Sequence, residues 1–284
     1  MKQDITVYTP DYREKLGFFN TIALMVRNVL NSKGLIYQLF RRDFLMSYKK
    51  SFIGMAWILI SPIIGIVSWV LFNATGILQP GNVGIPYPAF VLLSSSVWGL
   101  FMGIYSSAAG TLGAGGGFIM QVKYPHEVLL VKQIMQLLAG FFISLAVNLT
   151  VLILFGVAPD WKIILLPILV LPMFFLGAAM GLIISVVSVV AGDISSIFNT
   201  LLGFVFYATP IIFSPFDIKS EALRVIVEVN PLTYLVGGVR DIIIYGKMER
   251  FDLFLVFSAV SFVLFLISLR LFYLSENKVI EKMI

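Results

Sequence analysis

Six long apolar runs constrain this chain more than any other feature. They cover Met55–Leu78, Tyr87–Leu112, Val128–Gly156, Ile163–Ala191, Ile194–Ser214 and Asp252–Leu274. A helix needs roughly 20 apolar residues to cross the hydrocarbon of a bilayer. Each run meets that length, and only Gly192–Asp193 separates the fourth from the fifth, which predicts a tight helical hairpin there. Charged residues make up 12% of the 284 residues, about half the share of a soluble domain. The expectation is an all-α polytopic membrane protein of six spans. A first segment, 1–54, precedes a transmembrane domain, 55–274, and a short tail, 275–284, follows it. The first 50 residues are polar or amphipathic and show no secretory signal pattern.

Charge distribution predicts the orientation. Fourteen Lys and Arg fall on the side of the N-terminus and six on the other. The positive-inside rule then places both termini in the cytoplasm. No Asp, Glu or His lies near the midpoint of a span. A proton-driven carrier usually needs such a group as a relay, so the energy for transport is expected from elsewhere. Lys132 and Arg270 sit near the cytoplasmic ends of spans, where long side chains can reach the interface.

Chemistry that would make the chain an enzyme is missing. No G-x-x-x-x-G-K-[ST] loop occurs, so Gly115–Gly117 cannot cradle nucleotide phosphates in the usual way. The single histidine, His126, has no H-E-x-x-H spacing, and cysteine is absent. No catalytic constellation and no metal site is expected. A membrane-embedded glycan-modifying enzyme would need a cluster of acidic or histidine residues at the membrane surface, and none is evident.

Four segments carry the remaining signal. Leu35–Phe52 places Phe40, Phe44 and Tyr48 at four-residue steps, with Arg41, Arg42, Lys49 and Lys50 on the polar side. That pattern predicts an amphipathic helix in the cytoplasmic interface, either a plain anchor or one that also meets a cytoplasmic partner. Leu16–Asn31 is apolar at helical spacing as well. Spans two and four carry Ser95, Gly99, Gly103, Ser107 and Gly177, Gly181, Ser185, small residues whose spacing favours close helix packing. Spans one and five instead mix rings with hydroxyl, amide and small groups: Trp57, Ser61, Trp69 and Phe72, then Asn199, Gly203, Phe206 and Tyr207. Such faces suit a sugar, which stacks its C–H face on rings and exchanges hydrogen bonds with Ser, Asn and Tyr. Belt or packing roles for the aromatics stay open, most of all for Trp57. Finally, 217–246 reads as two short helices broken at Asn230-Pro231, too apolar for a solvated loop and too short to span. They predict a re-entrant pair on the outer face, with Pro210, Asn230, Pro231, Tyr234 and Arg240 as candidate gate residues and a static plug as the alternative.

Taken in order, these segments resemble the permease subunit of bacterial polysaccharide-exporting ABC transporters, the group that exports O-antigen, teichoic acid and capsular glycans. "LIYQLFRRDFLMSYKKSFIGMAWILISPI" resembles the interfacial helix leading into span one; "FIMQVKYPHEVLLVKQ", the first cytoplasmic loop; "GDISSIFNTLLGFVFYATPIIFS", the fifth span; and "VNPLTYLVGGVRDIIIYG", the Asn-Pro-Leu re-entrant helix. The likeness runs from about Leu35 to Gly246. It implies a half-transporter: a homodimer of this chain, two separate ATPase subunits holding ATP and Mg, no cofactor on this chain, and a lipid-linked glycan as cargo. A drug, a small lipid or a lipo-oligosaccharide is the alternative cargo. The resemblance also implies that loop 113–127 holds a coupling helix, with Phe118, Met120, Gln121, Lys123, Tyr124, Pro125, His126 and Glu127 toward the ATPase. The glycine-rich run before it lets the chain leave span two. Nucleic acid is not an expected partner.

Overall fold

A computed structural model describes residues 17–49, 56–77, 80–111 and 126–283. Two short helices come first, α1 (Phe18–Asn31) and α2 (Lys33–Lys49). Then come α3 (Trp57–Ala74), α4 (Tyr87–Ala109), α5 (His126–Leu154), α6 (Leu171–Val190), α7 (Asp193–Tyr207), α8 (Glu221–Val229), α9 (Pro231–Tyr245) and α10 (Phe251–Met283). A 3-10 turn, Trp161–Leu165, and a single helical turn, Leu166–Leu169, lead into α6. The described residues contain no strand.

Four segments are long and apolar enough to cross a membrane: Tyr87–Ala109, Glu127–Leu154, Trp161–Val190 and Phe251–Ser275. A fifth candidate is the pair α8 and α9, bent by 77°. Two expected spans differ from the reading of the sequence. The first, expected over Met55–Leu78, is helical over Trp57–Ala74 (α3), and both expected ends fall outside the described residues. The fifth, expected to run to Ser214, leaves the helix at Tyr207 after 15 residues, or about 22 Å of rise. The cause is local: Thr209 precedes Pro210, and a residue before proline disfavours the helical region. The chain continues as turns through Thr209, Ile211, Ile212 and Ser214, all buried. Irregular backbone is tolerated at membrane depth only when protein covers it, and here it is covered. The helix expected from Asp217 begins at Glu221, capped by Ser220, whose Oγ accepts from the Leu223 amide at 3.4 Å.

The core forms around α4 and α6. Two-thirds of α4 is buried (67%), against 22% of the α5 span and 17% of the α10 span. α4 is therefore the central element, and α5 and α10 turn most of their surface outward. α6 packs along α4 on one side and α10 on the other, while α5 covers a further face of α4. Small residues set the α4–α6 distance. A methyl on Gly177 would stand 3.0 Å from the Phe101 carbonyl oxygen; one on Gly181 would stand 2.5 Å from Ala108 Cβ and 2.9 Å from the Ala109 nitrogen. The small-residue stripe of span four is thus a packing seam. The stripe of span two is not uniform: Gly103 lies against Leu137 of α5, whereas Gly99 is exposed with nothing within 4 Å of its missing side chain. Asn148 of α5, fully buried, donates to Ser96 Oγ of α4, a side-chain bridge between adjacent spans.

Candidate functional site

The bent pair α8–α9 holds the end of α7. Asn230 caps α9, its Oδ1 accepting from the Leu232 amide at 3.0 Å, and Pro231 occupies the first helical position, where its missing N–H costs nothing. The other half of the same amide group donates to Thr209 Oγ1 at 2.8 Å and to the Ala208 carbonyl at 3.3 Å. One side chain therefore starts α9 and terminates α7. Arg240, one helical region further on, is 4% exposed. Its Nη1 donates to the Pro210 carbonyl at 3.1 Å and to Ser94 Oγ at 3.4 Å; Nε and Nη2 reach Asp241 Oδ1, each at 3.1 Å. The guanidinium carbon lies 4.4 Å from the centre of the Phe90 ring. A buried cation needs a paired charge and filled hydrogen bonds, and a ring face adds to both. Pro210, Asn230, Pro231 and Arg240 therefore form one cluster around residues 208–210. Tyr234 does not join it. Its hydroxyl donates to the Glu228 carbonyl at 2.8 Å and its ring stacks on Phe257 of α10, 5.4 Å between centres and 13° between planes.

The expected conduit residues fall on two separate faces. On α7, Asn199, Gly203 and Tyr207 are exposed, and nothing lies within 4 Å of the position a Gly203 side chain would take. Phe206 is half-buried, edge-on to Trp98 of α4 at 5.5 Å. On α3, Trp57 and Phe72 are exposed; the side chains of Ser61 and Trp69 lie outside the described residues. Helix α3 packs on α4 and α5, and α7 on α6. Rings also tie α7 to α4, Trp98 on Phe206 and Tyr105 on Phe198 at 5.8 Å. Within one subunit both faces point away from the core, and no substantial contact joins them among the described residues.

Of the expected ATPase-coupling and interfacial residues, Phe118, Met120, Gln121, Lys123, Tyr124 and Pro125 lie outside the described residues, as does Lys50; so do the side chains of His126, Tyr48 and Lys49. Glu127 is 5% exposed and accepts a hydrogen bond from Asn28 Nδ2 of α1 at 2.8 Å. The interfacial helix α2 rests on α5. Ile36 and Leu39 are buried, Phe40 and Phe44 half-buried with ring centres 5.6 Å apart, and Arg41 and Arg42 exposed. Lys132 and Arg270, placed by sequence near the ends of spans, meet side chains of α2 and α1. Lys132 Nζ bonds Asp43 Oδ2 at 2.9 Å, and Arg270 Nη1 donates to Thr21 Oγ1 at 2.9 Å. Sequence reading passed over Asn28, Thr21, Asp43, Phe90 and Ser94. Their partners lie far along the chain, so no local pattern marks them.

Asp43 gives a pH signature. Burial pushes its carboxyl up, but hydrogen bonds from Arg42 and Lys132 outweigh burial and leave it below the usual value of 3.8. A depressed folded value means stability that is present above pH 3.8 and lost as pH falls through the folded value. Asp43→Asn is therefore expected to lower the melting midpoint at pH 7 by about 2–3 °C, the equivalent of a partly exposed ion pair worth about 1 kcal/mol. Scanning fluorimetry in detergent should show that gap closing below the usual carboxylate value. A gap that does not change with pH would contradict the ion pair.

A helical domain with spans of membrane length, and a buried cluster that pins the end of α7, is the framework of an integral membrane protein. The family comparison agrees: residues 34–244 match the model described as ABC-2 type transporter, and the chain belongs to that family. It is similar to a protein of Myxococcus xanthus named O-antigen export system permease protein RfbA, with 25% identity over 241 residues, 84% of this chain and 92% of the relative. Two Klebsiella pneumoniae proteins of the same name are 21% and 20% identical, over 73% and 81% of this chain and 79% and 88% of theirs.

Proposed function

We propose that the chain is the membrane half of an ATP-driven exporter of a lipid-linked polysaccharide. A separate ATPase binds ATP and Mg, and two copies of this chain enclose the path. The six crossings, with both termini in the cytoplasm of a bacterial inner membrane, are part of the same proposal. The observation that carries it is the outward face of α7, where Asn199, Gly203 and Tyr207 are exposed on a helix otherwise rich in apolar residues. An amide directed at lipid is costly, so a face of this kind belongs against protein or a wetted path. Thr200 and Ser68 return their hydroxyl protons to their own helices, to the carbonyls of Ser196 and Ile64. Their oxygens remain able to accept from sugar hydroxyls. The relatives' names, each an O-antigen export permease, support glycan as the cargo class.

Loop 113–127 is the proposed ATPase contact, since it joins the central helix α4 to α5. The cluster around Asn230 and Arg240 would then govern the outer end of the path, by holding residues 208–210 in place. The test is export in cells whose own copy has been deleted, read as surface polysaccharide labelled by periodate and hydrazide. Tyr207→Ala and Asn199→Ala should each lower the label about fivefold, the effect of one lost aromatic or amide contact of about 1 kcal/mol. The complex with the ATPase should still purify at normal yield. Wild-type labelling in both variants would assign the α7 face to subunit packing alone.

A further inference from the structure

The family match begins at residue 34 and ends at residue 244, so α1 and α10 both lie outside it. Yet these two elements contact each other, and α1 also contacts α5. One face of α1 makes these contacts. Thr21, Met25 and Asn28 recur at helical spacing and line up on that face. Thr21 is fully buried; its Oγ1 accepts from Arg270 Nη1 at 2.9 Å and donates to the Gly17 carbonyl at 3.2 Å. The Arg270 guanidinium lies 6.0 Å from the Phe18 ring centre. Met25 packs in a small core with Ala108 of α4, Leu130 of α5, Leu182 of α6 and Phe272 and Tyr273 of α10. Asn28 donates to the buried carboxylate of Glu127, in the first turn of α5.

Ala108 and Glu127 stand on either side of the connection 112–125. A helix gripping both sides of that connection, and the cytoplasmic end of α10 as well, is placed to transmit displacement rather than merely to fill space. We propose that α1 is a positioning strut for energy coupling, with Asn28 and Thr21 as its two fixed ends. Motion imposed on the connection by the ATPase reaches α5 at Glu127. Through Asn28, the rigid helix α1 and Thr21, it reaches Arg270, so α5 and α10 move together. This rests on the reading of 113–127 as the ATPase contact.

The experiment compares two readouts: ATP hydrolysis by the purified permease–ATPase complex in vesicles of phosphatidylethanolamine and phosphatidylglycerol, and surface polysaccharide labelled by periodate and hydrazide in deletion cells carrying the same variant. Asn28→Ala should leave hydrolysis near wild type while export falls about tenfold or more, the scale of one lost hydrogen bond to a charged group. Asn28→Asp sets two carboxylates against each other and should fall further. Combining Asn28→Asp with Glu127→Gln rebuilds the bond with donor and acceptor exchanged, and should restore export. A purely structural contact would instead lower assembly, hydrolysis and export in parallel. Unchanged export in Asn28→Ala overturns the strut, as does failure of the exchanged pair to restore it. Lys123→Glu separates the two proposals: normal coupling in that variant rejects the connection as the ATPase contact, whatever Asn28 does.

Discussion

Gly181→Leu is expected to yield no folded permease, and Gly181→Ala to lose about 3 kcal/mol, the upper end of what overpacking usually costs. The reason is what the added carbon would meet. At Gly181 it would run into the Tyr105 carbonyl oxygen, Ala108 Cβ at 2.5 Å and the Ala109 nitrogen at 2.9 Å. Two of those three are backbone atoms of α4, the most buried span, so no side-chain rotation relieves the contact. The helices must separate along a seam that also includes Gly177 and the buried Ser185. Packing of this kind, not a hydrophobic drive, holds helices together in lipid, so separation removes the attraction itself. Gly99→Ala is the control. It sits on the small-residue stripe of α4 but faces open space, and its melting midpoint should stay within about 1 °C of wild type, as for a substitution that touches nothing. Yield of monodisperse protein and the midpoint in detergent check both. Equal behaviour of Gly181→Ala and Gly99→Ala would show that the α4–α6 seam is not what the structure describes.

Arg240→Met should destabilise the chain by about 3–5 kcal/mol, because removing one member of a buried pair leaves the other uncompensated. Asp241 would lose its guanidinium partner while remaining mostly enclosed, its side chain 20% exposed. The Pro210 carbonyl and Ser94 Oγ would each lose a donor. Arg240→Lys should recover part of the loss: it restores charge but cannot fork toward Asp241 and Pro210 together. Arg240→Met combined with Asp241→Leu should recover most of it, since replacing both charges by apolar groups removes the desolvation cost along with the attraction. Thermal midpoints of the three variants beside the wild type decide the matter. A single Arg240→Met as stable as the wild type would remove Arg240 from the set of residues that hold 208–210 in place.

Legibility in the sequence followed the range of each interaction. The helical hairpin at Gly192–Asp193 was readable because a break between two apolar runs is a local feature, and α6 does end at Val190 with α7 starting at Asp193. The turn at Asn230-Pro231 was readable for the same reason. The length of the fifth span was not. Its apolar run continues past Tyr207, and hydropathy does not distinguish a helix from buried turns of equal apolarity. The pairing of Asn230 with Thr209 stabilises those turns across 21 residues of chain. Glu127 illustrates the same limit at the start of α5: its partner, Asn28, lies 99 residues away.

By itself, the sequence determined the solvent, the class and the family. Run length and scarcity of charge require helices in a bilayer, because an unpaired backbone cannot be left in hydrocarbon. The order of its segments resembles the permease of polysaccharide-exporting ABC transporters, and the chain belongs to the ABC-2 type transporter family. The tertiary structure alone decided which faces meet. Periodicity shows that Ser95, Gly99, Gly103 and Ser107 share a side of one helix, and that Gly177, Gly181 and Ser185 share a side of another. It carries no information on what stands opposite. Gly181 sits against backbone and Gly99 against nothing, and Lys132 and Arg270 bond to side chains of α2 and α1. These outcomes depend on contacts between residues distant along the chain, which packing selects and local pattern does not encode.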